Sequence, residues 1–168
     1  MIGGALEVAV KLLKDGQVIG IPTETVYGLA ANALNEKSVV SIFEIKNRPF
    51  FDPLILHFSD IASIQKYVLD FNSNALKLAE AFWPGPLTLL LNKNELVPDI
   101  VTAGSHLVAV RIPDHPLTLS LLRHLDFPLA APSANPFGQI SPTSAKHVYD
   151  YFGEKIEVIL DRYLIQAK

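Results

Sequence analysis

Cysteine is missing from all 168 residues of the chain. That excludes a disulfide framework, a cysteine-ligated zinc site and thiol catalysis together. Charge is scarce too: Asp, Glu, Lys and Arg make up 18% of the residues and the formal net charge is −3. Coating nucleic acid by bulk electrostatics is disfavoured, while a local basic pocket stays open, because net charge says nothing about distribution. No apolar stretch reaches the length needed to span a bilayer. The N-terminal Met1-Ile2-Gly3-Gly4-Ala5-Leu6-Glu7 lacks the charged-then-apolar order of a signal peptide. The expectation is a soluble cytoplasmic protein with no membrane partner. Neither the glycine-rich phosphate loop nor the dinucleotide fingerprint occurs, and no serine sits in a nucleophile elbow. The histidines at 57, 106, 115, 124 and 147 show no metal-ligand spacing. Of these, His57 alone lies inside an apolar run that places it near a prospective site.

What is present is apolar residue, at 49% of the chain, enough for one domain with a substantial core. Leu6, Ala9, Val10 and Leu13 share a helical face that Asp15-Gly16 closes. Gln17–Ile21 reads as a short strand stopped by Pro22. A helix with Asn35 as its N-cap is expected to run to about Lys46, burying Val39, Ile42 and Phe43. Leu54–Phe58 reads as a strand buried on both faces. Helices near 61–68 and 73–82 follow, then the breaker Pro84-Gly85-Pro86 and a strand over Leu87–Leu91. Leu107–Ile112 is a further strand, 116–125 a helix, Pro128–Ala131 a short strand, 143–151 a helix and 157–160 a strand. Strands alternating with helices predict an α/β fold, a twisted mixed sheet with helical cover.

Four polar clusters flank these elements. Pro22-Thr23-Glu24-Thr25-Val26-Tyr27-Gly28 follows a buried strand, where α/β folds bind ligands; a capped turn reads the same residues equally well. Lys46 and Arg48 stand two apart at a helix exit and can aim at one anion, or simply complement the helix C-terminus. Arg111 ends an apolar strand and requires an acidic partner or an anionic ligand. Ala131-Pro132-Ser133-Ala134-Asn135-Pro136 presents a hydroxyl and an amide between two prolines, as a binding loop or as a self-capped turn. Together these donors suit phosphate and carboxylate oxygens.

In this order the clusters resemble the YrdC family, the threonylcarbamoyl-adenylate synthases of tRNA modification. The shared pattern is a Lys-x-Arg, here Lys46 and Arg48, with a later Ser-x-Asn, here Ser133 and Asn135. Around it stand Pro22–Leu29, Pro53–His57, Phe82-Trp83-Pro84-Gly85-Pro86-Leu87-Thr88 and Val110-Arg111-Ile112-Pro113, over roughly residues 5–161. The resemblance implies a concave basic cavity on a twisted α/β sheet. It also implies a reaction in which L-threonine, bicarbonate (or CO2) and ATP give threonylcarbamoyl-AMP and pyrophosphate. A transferase complex then modifies adenosine 37 of tRNA. On this basis Lys46, Arg48, Ser133 and Asn135 are the expected catalytic and nucleotide-binding residues, and Thr23, Tyr27, His57 and Arg111 the expected threonine-end residues. Magnesium arrives with ATP rather than on protein ligands.

One departure stands out. After Asp161 the family continues with Gly-Gly and a Glu-Ser-Thr-Val block, whereas here Arg162-Tyr163-Leu164-Ile165-Gln166-Ala167-Lys168 follows. Residues 1–161 are expected to form the domain and 162–168 a short tail outside the family pattern. A sheet edge left open there predicts weakened nucleotide binding and pairing of two copies. Competing readings are an RNA-binding or inactive module of the same fold and a carbamoyl-adenylate-type transferase, with direct tRNA contact as a further expectation.

Overall fold

In the computed structural model, which describes residues 4–161 and the backbone of 165–166, the chain opens with helix α1 (Gly4–Lys14). Its buried Leu6, Ala9 and Leu13 lie on one stripe. Gly16, at φ +83°, ends it, in a left-handed conformation that costs glycine little. Strand β1 (Ile19–Ile21) then pairs antiparallel with β2 (Gly28–Asn32). The chain continues through α2 (Glu36–Lys46), β3 (Ile55–His57), α3 (Ile61–Gln65), α4 (Ser73–Phe82) and β4 (Leu89–Asn92). Next come α5 (Asp99–Thr102), β5 (Leu107–Arg111), α6 (Pro116–Arg123) and β6 (Leu129–Ala130). It closes with α7 (Ala145–Phe152), β7 (Val158–Ile159) and β8 (Ile165–Gln166).

The strands form one eight-stranded mixed sheet in the order β4-β5-β3-β6-β2-β1-β7-β8. Strand β2 begins at Gly28, the last residue of the polar cluster, and has no counterpart among the elements expected from the sequence. Its Gly-Leu-Ala-Ala-Asn offers no alternation of apolar and polar residues, because both faces are covered: Leu29 and Ala31 enter one core cluster and Ala30 the other. Helix α3 is shorter than expected, and Val68 instead bridges to Lys93. The expected open edge beside β7 is taken by Ile165–Gln166, which pairs antiparallel with Val158–Ile159; the rest of the 162–168 tail lies outside the described residues.

Helical cover is unequal on the two faces. One face carries α2, α4, α5 and α7, whose Val39, Ile42, Phe43, Ala75, Val101, Val148 and Phe152 pack against Leu29, Leu56, Val108 and Val110. The other carries α1 and α6, whose Leu6, Ala9, Leu13 and Leu121 cover Ile19, Ile21, Ala30 and Leu129. No described residue of β3, β4 or β5 belongs to that second cluster. On these strands the side chains alternate faces, so Leu56, Val108, Val110 and Leu91 are buried under the first layer. Ile55, Ala109 and Arg111 are only partly covered, and Leu90, opposite Ala109, is 66% exposed. The bare patch is a concave floor beside α1 and α6.

Candidate active site

Helix α2 delivers the first two cations. Asn35 caps its start by accepting from the amides of Lys37 and Ser38. Asn47, in the left-handed region at φ 52°, turns the chain at its end, and the Arg48 amide reaches back to the Phe43 carbonyl at 2.9 Å, a Schellman-type closure. This turn separates the two side chains. Lys46 stays inside the helix face and is 1% exposed. Its ammonium donates to the backbone carbonyls of Ser133 and Asn135. Burial first, and then the Arg48 charge, pull its pKa down to about 8. Arg48 turns the other way, pairing with the Asp52 carboxylate at 2.9 Å and donating to the Pro53 carbonyl at 2.9 Å. Lys46 and Arg48 thus hold separate protein partners, two backbone carbonyls for one and the Asp52 carboxylate for the other.

A cleft of about 290 Å³ lies over the bare floor. Thr23, Tyr27, Arg48, His57, Arg111 and Ser133 all line it. Lys46 and Asn135 are not part of that lining. Asn135, 6% exposed, spends its amide NH2 on the carbonyls of Pro136 (2.9 Å) and Gln139 (2.8 Å). Its Oδ1 is buried with no hydrogen-bond partner among the described residues. The Ser133 loop is further fixed by the antiparallel bridge of Ser133 to Gly28 and by the Ala134 amide on the Tyr27 carbonyl at 2.8 Å. So the two remote clusters do meet, with Lys46 and Asn135 behind the loop and Ser133 in front.

Thr23 satisfies both readings of its loop. Its Oγ1 accepts from the amides of Thr25 and Val26, donates to the Val26 carbonyl at 2.6 Å, and still borders the cleft. Tyr27 is held as a neutral phenol: burial, then the Asp161 carboxylate, raise its pKa to about 12. His57, 3% exposed, stands at the C-terminal end of β3, directly opposite Arg111 on β5. Burial, then the Arg111 charge, drive its pKa down to about 4, so a neutral imidazole lines the cleft at neutral pH.

Arg111 has found the acidic partner that its position required. Its guanidinium meets Glu24 Oε1 at 2.6 Å and Thr25 Oγ1 at 3.2 Å, while Nε donates to the Gly85 carbonyl at 3.2 Å. Sequence reasoning singled out neither Gly85 nor Asp161, nor paired Glu24 with Arg111. The signal for Gly85 was its place between two prolines. Glu24 and Arg111 lie 87 residues apart, and no local pattern joins them. Among the described residues no group of three or more His, Cys, Asp or Glu could hold a metal ion.

The fold and the site thus define an open α/β sheet whose uncovered face carries a cleft lined by two arginines, a buried imidazole, hydroxyl groups and a phenol. The chain belongs to the Sua5/YciO/YrdC family, whose family model, described as telomere recombination, matches residues 11–168. The threonylcarbamoyl-AMP synthase of Pyrococcus abyssi is 47% identical over 93% of this chain and 46% of its own length. That of Bacillus subtilis is 46% identical over 91% of this chain and 44% of its own length. The crystal structure of P. abyssi Sua5 complexed with L-threonine superimposes with a TM-score of 0.91, covering 93% of this chain and 46% of the other. The chain therefore spans under half the length of these relatives. The expected fold class is that of the family.

Proposed function

We propose that this domain forms L-threonylcarbamoyladenylate from L-threonine, bicarbonate or CO2, and ATP, releasing pyrophosphate. The observation that carries the reading is the single cleft. Arg48, Ser133, Arg111, His57, Thr23 and Tyr27 all line it, so two guanidinium groups and several neutral donors share one space of amino-acid and phosphate scale. Support also comes from relatives that bear the synthase name and from the relative solved with L-threonine.

The chemistry asks little of protein nucleophiles. The threonine amine, its ammonium deprotonated, adds to the carbon of CO2 (bicarbonate supplies it with loss of water) and sheds a second proton as a carbamate. A carbamate oxygen then attacks the α-phosphorus of ATP, the bond from that phosphorus to the oxygen bridging to the β-phosphate breaks, and pyrophosphate leaves. The protein supplies alignment and preorganised donors for developing phosphate charge. Arg48 and the Ser133 hydroxyl meet the phosphate and carbamate oxygens. Lys46 and Asn135 shape and charge the loop that presents Ser133. Arg111 takes the threonine carboxylate beside the neutral His57, and Thr23 and Tyr27 bound the amino-acid end. Magnesium enters with ATP, held by phosphate oxygens. The product is a reactive mixed anhydride, so a cytoplasmic transferase acting on adenosine 37 of tRNA consumes it.

The test is pyrophosphate release from ATP that depends on both threonine and bicarbonate. Arg48→Ala and Ser133→Ala should abolish it, and serine, one methyl smaller, should fall behind threonine by about 1–3 kcal/mol in kcat/KM. Release indifferent to threonine or bicarbonate would refute the reading.

A further inference from the structure

Arg111 and Glu24 form an ion pair across the mouth of the cleft, with side chains 11% and 19% exposed. Glu24 reaches it from an unusual position. It lies between Thr23 and Thr25, both of which border the cleft, on a turn whose backbone faces solvent while the carboxylate is folded inward. The neighbouring carboxylates are engaged elsewhere, Asp52 with Arg48 and Asp161 with Tyr27. No Asp or Glu appears among the residues that line the cleft. Glu24 is nevertheless close enough for its charge to act on His57.

An α-amino acid brings one negative and one positive group into this space. Its carboxylate fits Arg111, the cation that Glu24 now neutralises, and its ammonium then needs an anion that the cleft lining does not offer. Resting on the threonine-binding reading of the site, we propose that the Glu24–Arg111 pair is exchangeable: the substrate carboxylate takes Arg111 and the substrate ammonium takes the released Glu24. Glu24 is then the residue that selects amino acids over carboxylates without an amine. A hydroxy acid could displace Glu24 from Arg111 only by leaving a partly buried carboxylate unpaired, a repulsive element of the kind specificity requires. Thr25, which shares Arg111 through Oγ1 at 3.2 Å, keeps the guanidinium aligned while the pair opens.

The experiment is titration calorimetry of L-threonine and of (R)-3-hydroxybutanoate, which is threonine with hydrogen in place of the ammonium. It compares the wild type with Glu24→Gln and Glu24→Asp, each checked for folding by circular dichroism. The wild type should prefer threonine by about tenfold or more, the weight of one charge-assisted hydrogen bond. Glu24→Gln should erase most of that ratio by weakening threonine and admitting the hydroxy acid, and Glu24→Asp should retain the preference. An unchanged ratio in folded Glu24→Gln, or a gain in threonine affinity there, overturns the proposal and leaves the site reading intact. A wild type that binds no threonine removes both.

Discussion

The ammonium of Lys46 is hydrogen-bonded to the backbone carbonyl of Asn135, 89 residues along the chain, and so ties the exit of α2 to the loop that carries Ser133. Removing this ammonium strands both carbonyl acceptors. Lys46→Met keeps the apolar stem and deletes the charge. It should lower unfolding stability by about 2–4 kcal/mol, read from urea transitions. A loss below about 0.5 kcal/mol would mean that this tie does not hold the loop.

Ser133 and Asn135, two residues apart, should fail in opposite ways. Ser133 borders the cleft, whereas both Asn135 amide hydrogens are spent on backbone carbonyls. Ser133→Ala should leave stability within about 0.5 kcal/mol while suppressing pyrophosphate release. Asn135→Ala should cost about 1–3 kcal/mol of stability and lose activity only as the loop loosens. Parallel denaturation and turnover measurements on both variants decide it.

His57 should make the acid limb of stability steep. Its ordinary pKa near 6.5 falls to about 4 in the fold, so between these values the unfolded chain binds a proton that the native one refuses. Stability is full above pH 6.5 and declines as pH falls toward 4, by up to about 3 kcal/mol. His57→Asn should flatten that decline in urea midpoints measured from pH 7 to 4. Equal slopes for variant and wild type would show that the imidazole is not held neutral by its surroundings and by Arg111.

Most of the fold was legible because its signals are local. The Asn35 cap and the apolar spacing of Val39, Ile42 and Phe43 specify α2, and the observed helix starts at Glu36 and ends at Lys46 as expected. Strand β2 was not legible, since a segment covered on both faces shows neither period. In the site, the residue types pointed to the loops that line the cleft but not to the partners of each side chain. That Lys46 points behind the Ser133 loop while Arg48 faces the cleft depends on one left-handed residue, Asn47, which turns the chain between them. That Arg111 would meet Glu24 depends on where β1 and β5 sit in the sheet, a long-range fact.

Gly85 links the fold to the cleft at a point where no side chain fits. A Cβ added there would stand 2.3 Å from the Phe82 carbonyl oxygen, a clash that only backbone movement relieves. The same residue donates its amide to the Ile112 carbonyl at 2.8 Å and offers its own carbonyl to Arg111 Nε at 3.2 Å. Gly85→Ala must therefore shift the peptide that orients the guanidinium. The expected result is a stability loss of about 1–3 kcal/mol together with a several-fold weaker affinity for threonine in the protein that remains folded. Gly104→Ala is the comparison for a glycine with open space around it: strained at φ +79° yet remote from Arg111, it should reduce stability without changing threonine affinity. Wild-type threonine binding by folded Gly85→Ala would show that Arg111 does not depend on this carbonyl for its aim.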